Sequence, residues 1–479
     1  MRRQSVGQRS ETVRRANLSS IVHELHLGGA SSRSELVTRT GLTRSAIREL
    51  TRELIDAGLA REARGPSQGA PGRPSPIVRP EPRAVVALGL EIAVDSLAAA
   101  LVGFGGDVLA RTRIDRPRGG LSVDETVADL AGLAAPLVEA LDERSRLVGV
   151  GVAVVGIVRH DDGLVASAPN LGWHDVPLAA RIAEALEPRA PIYVANEADL
   201  GALAEHRRGS ARDVDDVVFV SGEVGVGGGV IAGGRPLTGV AGYAGEIGHV
   251  PVNPSGATCR CGSVGCWETE IGEGALLARA GLPADGGRDA VDRLLAEAAA
   301  GDATAIGALE ATGGWLGSGL AGLVNIFDPR LVILGGLFGR ILPFVGSTVE
   351  RRLRARALAA PRALVRVVPA DLGVDAALIG AAELAFDPFL DDPAARLRPR
   401  ASAARRPRAA VRFAAAPTAA ATTAPAGEMR ARDVQAAPRR GTMRREVPAF
   451  RVSPRVSRRA HTTREKEVRT DGTHDAPGS

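Results

Sequence analysis

In the stretch "RRANLSSIVHELHLGG", Leu18, Ile21, Val22, Leu25 and Leu27 recur three and four positions apart and largely share one face. That period predicts an amphipathic helix. The segment "SSRSELVTRTGLTRSAIRELTRELIDAGLA" continues the pattern. Ser32 is placed to cap a short helix carrying Leu36 and Val37. Gly41 breaks that helix, and Thr43 caps the next, where Ile47, Leu50, Leu54 and Ile55 recur at helical spacing. Two short helices joined through a glycine turn describe a helix-turn-helix unit. Arg44, Ser45, Arg48 and Arg52 fall on the outer face of the second helix. Such a helix enters a major groove and presents its first turns to base edges and phosphates. After Leu59, "REARGPSQGAPGRPSPIVRP" suits a wing beside that helix, with Arg73 of "GRP" placed for a narrow minor groove.

From Ala84 the pattern changes. "VVALGLEIAVDSLAAALVGFGGDVLARTRI" alternates short apolar runs with a Gly-Gly turn and predicts a strand hairpin. A helix over "SVDETVADLAGLAAPLVEAL" follows, then a buried strand in "LVGVGVAVVGIV", a helix in "PLAARIAEAL", a strand in "PIYVAN" and a helix in "NEADLGALAEHRRG". The scheme repeats through "DVVFVSGEVGVGGGVIAGG", several helices and the strand "LVILGG". Alternating strands and helices predict an α/β body, whose ligands lie beyond the strand ends in a cleft.

Charge divides the chain in the same places. The net charge of +5 sums a head of about +7, a tail after residue 391 of about +11 and a body of about −13. A basic head suits a polyanion partner. The tail is rich in Ala, Arg, Pro and Thr with few large apolar residues, so 391–479 is expected to be disordered. The basic N-terminus lacks the apolar run of a secretory signal, and no stretch approaches the roughly 20 apolar residues that span a bilayer. The expectation is a soluble, cytoplasmic protein without membrane contact.

All three cysteines lie in "CRCGSVGC", at Cys259, Cys261 and Cys266. The odd number and tight spacing argue against disulfides and suit thiolates around zinc. Gly262 and Gly265 let the loop bend so that the sulfurs converge. Three thiolates leave a tetrahedral site one ligand short. His249, in "GEIGHVPV", is the first candidate and Glu268 the second. A closed Cys3His site is structural. The second imidazole nitrogen of such a ligand needs its own acceptor. With Glu246 beside it, and with Asn196 at a strand end where a helix begins, these groups suit a polyhydroxylated small molecule. On its own stretch, Asn196 reads equally as a helix cap.

These motifs resemble the ROK family (repressors, open reading frames, kinases). "AGYAGEIGHVPVNPSGATCRCGSVGCWETE" is similar to its E-x-G-H and C-x-C-G-x-x-G-C-x-E motifs, and "APNLGWHDVPL", "VANEADLGALAE" and "LIGAAELA" also resemble it, so that the likeness covers roughly 14–390. The resemblance implies a winged helix-turn-helix over 1–80 and a two-lobed, actin- and hexokinase-like α/β body over 84–390. Its small lobe would take about 84–198 plus a helix at about 374–387, and its large lobe about 199–373. It implies sugar contacts at Asn170, Asn196, Glu246, His249 and Glu268, and zinc on His249, Cys259, Cys261 and Cys266. The family's kinases place a catalytic aspartate where this chain has Glu197. They carry D-x-G-G-T where this chain has Glu91-Ile92-Ala93-Val94-Asp95, and a threonine where it has Val224. A longer arm and added negative charge argue against efficient phosphoryl transfer. The expectation is therefore no enzyme but a sugar-responsive transcription regulator, a repressor of carbohydrate-use genes, with a sugar or sugar phosphate as effector. It would bind operator DNA as a homodimer or homotetramer. An ATP-dependent sugar kinase is the alternative.

Overall fold

The computed structural model describes residues 10–63, 76–119, 122–188 and 190–394, and the backbone of 450–451. The head comprises α1 (Ser10–Gly28), β1 (Ser31–Ser32), α2 (Arg33–Thr40), α3 (Arg44–Asp56), β2 (Ala60–Ala63) and β3 (Ile77–Pro80). Local chemistry sets these boundaries. The Ser32 hydroxyl accepts the Glu35 N–H while Glu35 reaches back to the Ser32 N–H, a closed capping box. Gly41 ends α2 at φ 69°, a left-handed conformation that glycine adopts freely. Thr43 caps α3 through the Ala46 N–H. Arg44, Ser45, Arg48 and Arg52 stand exposed, while Ile47, Leu50 and Leu54 are buried. Strands β2 and β3 pair antiparallel and frame the wing. Arg73, expected at its tip, lies outside the described residues.

The first lobe follows as β4 (Val85–Ile92), β5 (Ser96–Gly103), β6 (Val108–Asp115), α4 (Val123–Glu139), β7 (Arg146–Val154), β8 (Ile157–Arg159), β9 (Leu164–Ala168), β10 (Trp173–Val176), α5 (Leu178–Leu186) and β11 (Ile192–Asn196). Its main sheet runs β11-β7-β4-β5-β6, with β4, β7 and β11 parallel. The expected hairpin is a three-stranded meander. Gly105 and Gly106 turn β5 into β6, and a tighter turn at Ala93–Asp95 joins β4 to β5. Helix α6 (Glu197–Arg208) leads to the second lobe. That lobe holds β12 (Val217–Gly222), β13 (Val226–Ala232), β14 (Arg235–Pro236), α7 (Trp267–Ile271), α8 (Glu273–Arg279), α9 (Gly287–Ala299), α10 (Ala303–Phe327), β15 (Leu331–Gly335), α11 (Gly336–Arg356), α12 (Ala359–Leu364) and β16 (Arg366–Pro369). Its sheet order is β14-β13-β12-β15-β16. Helix α13 (Ala376–Asp391) then returns to pack against β4, β7 and α6. The expected tail lies outside the described residues, save that α13 reaches Asp391 and β17 (Phe450–Arg451) pairs antiparallel with Arg366–Val367.

The head and the first lobe share one apolar core. Leu18, Ile21, Val22 and Leu25 of α1 pack in the same cluster as Phe104, Phe386 and Phe389. Leu27, expected on that face, is only half-buried, and His26 takes the inner position. His26 and Glu383 are both fully buried, at 0% exposure, and lie 3.1 Å apart. The Gly105 N–H donates to His26 Nδ1 (3.1 Å), so the ring is neutral and carries its proton on Nε2, toward Glu383. Arg208 donates to Glu383 Oε1 (2.7 Å) and to the His26 carbonyl (2.6 Å). Arg207 donates to the Glu383 carbonyl (3.0 Å) and pairs with Asp387. Burial opposes ionisation of Glu383, but His26 and the two arginines outweigh it and hold its carboxyl well below the usual range. Burial pulls His26 below its ordinary value, against the opposing pull of Glu383.

Removing one partner of a buried pair costs about 3–5 kcal/mol. Glu383→Ala is expected to lower the unfolding free energy by that order in chemical denaturation; a loss under about 1 kcal/mol contradicts the assignment. A base with a depressed folded-state pKa contributes stability above its unfolded value, about 6.5, and loses it as pH falls. Wild type should therefore lose stability relative to His26→Gln between pH 7 and pH 5.

Candidate functional site

Five of the predicted residues gather around the first turn of α6 and the loops facing it. Asn196 ends β11 and caps α6, its Oδ1 accepting the N–H groups of Ala198 (2.7 Å) and Asp199 (3.3 Å). Its amide donates to the Gly156 carbonyl (2.9 Å). The capping role is thus real, and one amide hydrogen remains for a ligand. Glu246 and His249 flank a single 3-10 turn over Ile247–His249. Glu268 opens α7, which buried Trp267 anchors by donating its indole N–H to the Trp315 carbonyl (3.0 Å). Glu268 Oε2 accepts the Val226 N–H (3.0 Å). A Cβ on Gly225 would meet that oxygen at 2.6 Å and Asn170 Nδ2 at 3.3 Å, so glycine there lets Asn170 and Glu268 approach across the cleft. Arg260 donates to Asn170 Oδ1 from the second lobe.

The cysteine loop is a small hairpin, with Thr258 bridging Val264 and Pro251 bridging Cys266. The Cys259 N–H bonds the Ser263 carbonyl (2.7 Å). Gly265 has φ 70°, and a Cβ there would fall 1.6 Å from the Asn253 carbonyl oxygen, so only glycine fits. The three sulfurs and one His249 nitrogen all lie within 4.8 Å of one another. His249 Nδ1 faces Cys259 Sγ at 3.6 Å, and its Nε2 faces Glu246 at 3.9 Å. Three thiols and one imidazole converging in this way form a donor set suited to a four-coordinate metal. Glu268, the second candidate, stands 3.8 Å from Cys259 Sγ but spends its other oxygen on backbone.

Several carboxylates that the sequence did not place among the sugar contacts crowd the same cleft. Burial, reinforced by Glu223, Glu91 and Glu246, pushes Glu197 up to about 8. Burial beside Glu246 pushes Asp199 up to about 8. Burial also raises Glu91 to about 7, against the opposing charge of Arg113. Asp199 and Glu91 were visible as residues, but their burial follows from packing and left no local mark. Glu223 sits inside a glycine run that reads as backbone.

An exposed capped helix, a wing, a cleft between two α/β lobes and a thiol–imidazole knot define a two-lobed ligand-binding body behind a winged helix-turn-helix head. The chain belongs to the ROK family, whose description matches residues 87–387. The xylose repressor of Bacillus subtilis is 28% identical over 382 residues, covering 79% of this chain and 97% of that protein. A Streptomyces coelicolor glucokinase is 29% identical over 320 residues, covering 63% of this chain and 98% of its own length. The crystal structure of a ROK family transcriptional regulator, a homologue of the E. coli MLC protein, superposes with a TM-score of 0.66 at 26% identity. It covers 80% of this chain and 98% of that one. The regulators extend the match beyond the span shared with the kinase. No helix among the described residues is long and apolar enough to cross a membrane.

Cobalt(II) titration of metal-free protein should saturate at about one equivalent per chain with a thiolate charge-transfer band, since tetrahedral thiolate sites have closed stoichiometry. Cys266→Ser should weaken that binding at least 10-fold. A band that persists unchanged contradicts the four-ligand assignment.

Proposed function

We propose that the protein is a sugar-responsive DNA-binding repressor. The head reads operator DNA through Arg44, Ser45, Arg48 and Arg52, with Arg73 of the wing beside them. A sugar lies between Asn170, Asn196, Glu246, His249 and Glu268, whose carboxylates accept hydroxyl protons and whose remaining N–H groups donate. His249, Cys259, Cys261 and Cys266 would hold zinc, which when bound supplies a fixed charge that orients the imidazole. The His249 Nε2–H then points toward Glu246 and the sugar. The assembly is a homodimer or homotetramer, so that two heads meet a two-part site.

The observation that carries the reading is the reach of α6. Its first residues, Asn196 to Asp199, form part of the cleft, and its last, Arg207 and Arg208, grip Glu383 and the head's own His26. A ligand that prefers one lobe arrangement shifts α6, and the head moves with it.

A kinase reading is weaker. Glu197 replaces the aspartate of the kinases, and misplacing a catalytic group by about 1 Å costs about 100-fold in rate. Glu91 and Asp95 also put carboxylates where phosphate-binding loops need backbone N–H groups.

In gel shifts, one aldose from a broad panel should change operator affinity by about 5- to 150-fold, the usual range for coupled sites. Glu246→Ala should abolish the response while operator affinity without sugar persists. An unresponsive wild-type protein, or ADP release with hexoses at about 1 per second or faster, would sink this reading.

A further inference from the structure

A cavity continues from the first turn of α6 between the lobes, bounded by Glu91, Asp95, Arg113, Glu197, Glu223 and Arg288. Every cation at its wall is already paired. Arg113 donates to Glu91 Oε2 (3.3 Å) and to the Ser96 hydroxyl (2.6 Å). Arg288 donates to Asp95 Oδ1 (3.3 Å). Arg118, behind Asp95, donates to both oxygens of Glu273 (2.5 and 3.1 Å) and to Asp95 Oδ2 (3.4 Å).

Part of the backbone is engaged as well. In the turn that closes β4, the Ala93 N–H bonds the Ser96 carbonyl (3.0 Å). The start of α11, a helix of 21 residues, is the natural place for an anion. The Glu223 carboxyl crowds that start: its Oε1 lies 2.7 Å from where a Cβ of Gly336 would be, so the side chain fills the approach to it.

Resting on the sugar-sensor reading above, we infer that the effector is an unphosphorylated sugar and that the chain's own carboxylates exclude its phosphate esters. A phosphoryl group in this cavity meets the carboxyl groups of Glu91, Asp95 and Glu223, two engaged arginines and a helix start that Glu223 crowds. An unpaired anion buried there is strongly disfavoured. A neutral hydroxyl is served instead. Glu197 has no hydrogen-bond partner among the described residues. Burial raises its carboxyl to about 8, so at neutral pH it is protonated and can both donate and accept.

The test is calorimetric titration of the zinc-loaded full chain with neutral aldoses and their 6-phosphates in matched pairs, glucose, mannose and N-acetylglucosamine among them, with xylose and inorganic phosphate alongside. The inference expects the neutral member of a pair to bind at least about 100-fold more tightly, because an anion buried without a free cation carries a large desolvation penalty. Glu223→Gln, checked for folding by thermal melting, should narrow the gap by strengthening the ester. A 6-phosphate that binds as tightly as its parent sugar overturns the inference and leaves the sensor reading standing. If neither member of any pair binds, the sensor reading fails and the inference falls with it.

Discussion

Glu383 is an ionised carboxylate with no exposed surface, and such a charge must be met on every side by the protein itself. Its partners come from two helices, His26 on α1 and Arg207 and Arg208 on α6, while Phe104 stacks on the imidazole at 5.7 Å and Phe386 lies tilted against it at 4.5 Å. The Ser19 hydroxyl adds a bond to the Leu390 carbonyl (2.8 Å), and Arg212 one to the Leu27 carbonyl (3.2 Å). The DNA-reading head is therefore docked on the body by a directional polar cluster inside an apolar core. Apolar contact alone would let α1 slide; the fixed hydrogen-bond geometry gives it one position.

The cleft obeys a different constraint, close approach. Glycines in β13 and in the turn before it let Glu268, Ala198 and Ile247 come within contact of the strand, and a side chain at Gly228 would overlap Ile247. The thiol–imidazole knot then holds the Glu246–His249 turn against α7. Helix α6 belongs to both regions, with a start at the cleft and an end that grips the head. Under the proposed function, sensing and DNA reading become one mechanical problem, a shift of a single helix between packed surfaces.

Much of this was legible in the sequence. Ser32, Gly41 and Thr43 act locally, so their roles as caps and breaker follow from neighbours along the chain. The cysteine loop and His249 were legible because metal donors are few and their spacing is restrictive. The docking cluster was not. His26 and Glu383 are 357 residues apart in sequence, and each looks like an ordinary polar residue in a helix. One trace existed: Glu383 is the sole charged residue between Ala376 and Phe386, in an otherwise apolar stretch of the helix. Glu223 was hidden by the glycines around it, and the third strand of the meander by the absence of glycine or proline from the Ala93–Asp95 turn. Asn196 read as cap or as ligand contact; it caps α6, and one of its amide hydrogens stays free.

The central claim is that sugar and operator are linked through one protein. Linkage is reciprocal: the factor by which sugar changes operator affinity equals the factor by which operator changes sugar affinity. The decisive measurement is the sugar dissociation constant of the zinc-loaded full chain, with and without saturating operator DNA. The account predicts two different constants whose ratio matches the shift in operator affinity. Identical constants would show that the cleft and the head are independent, and the account would be wrong.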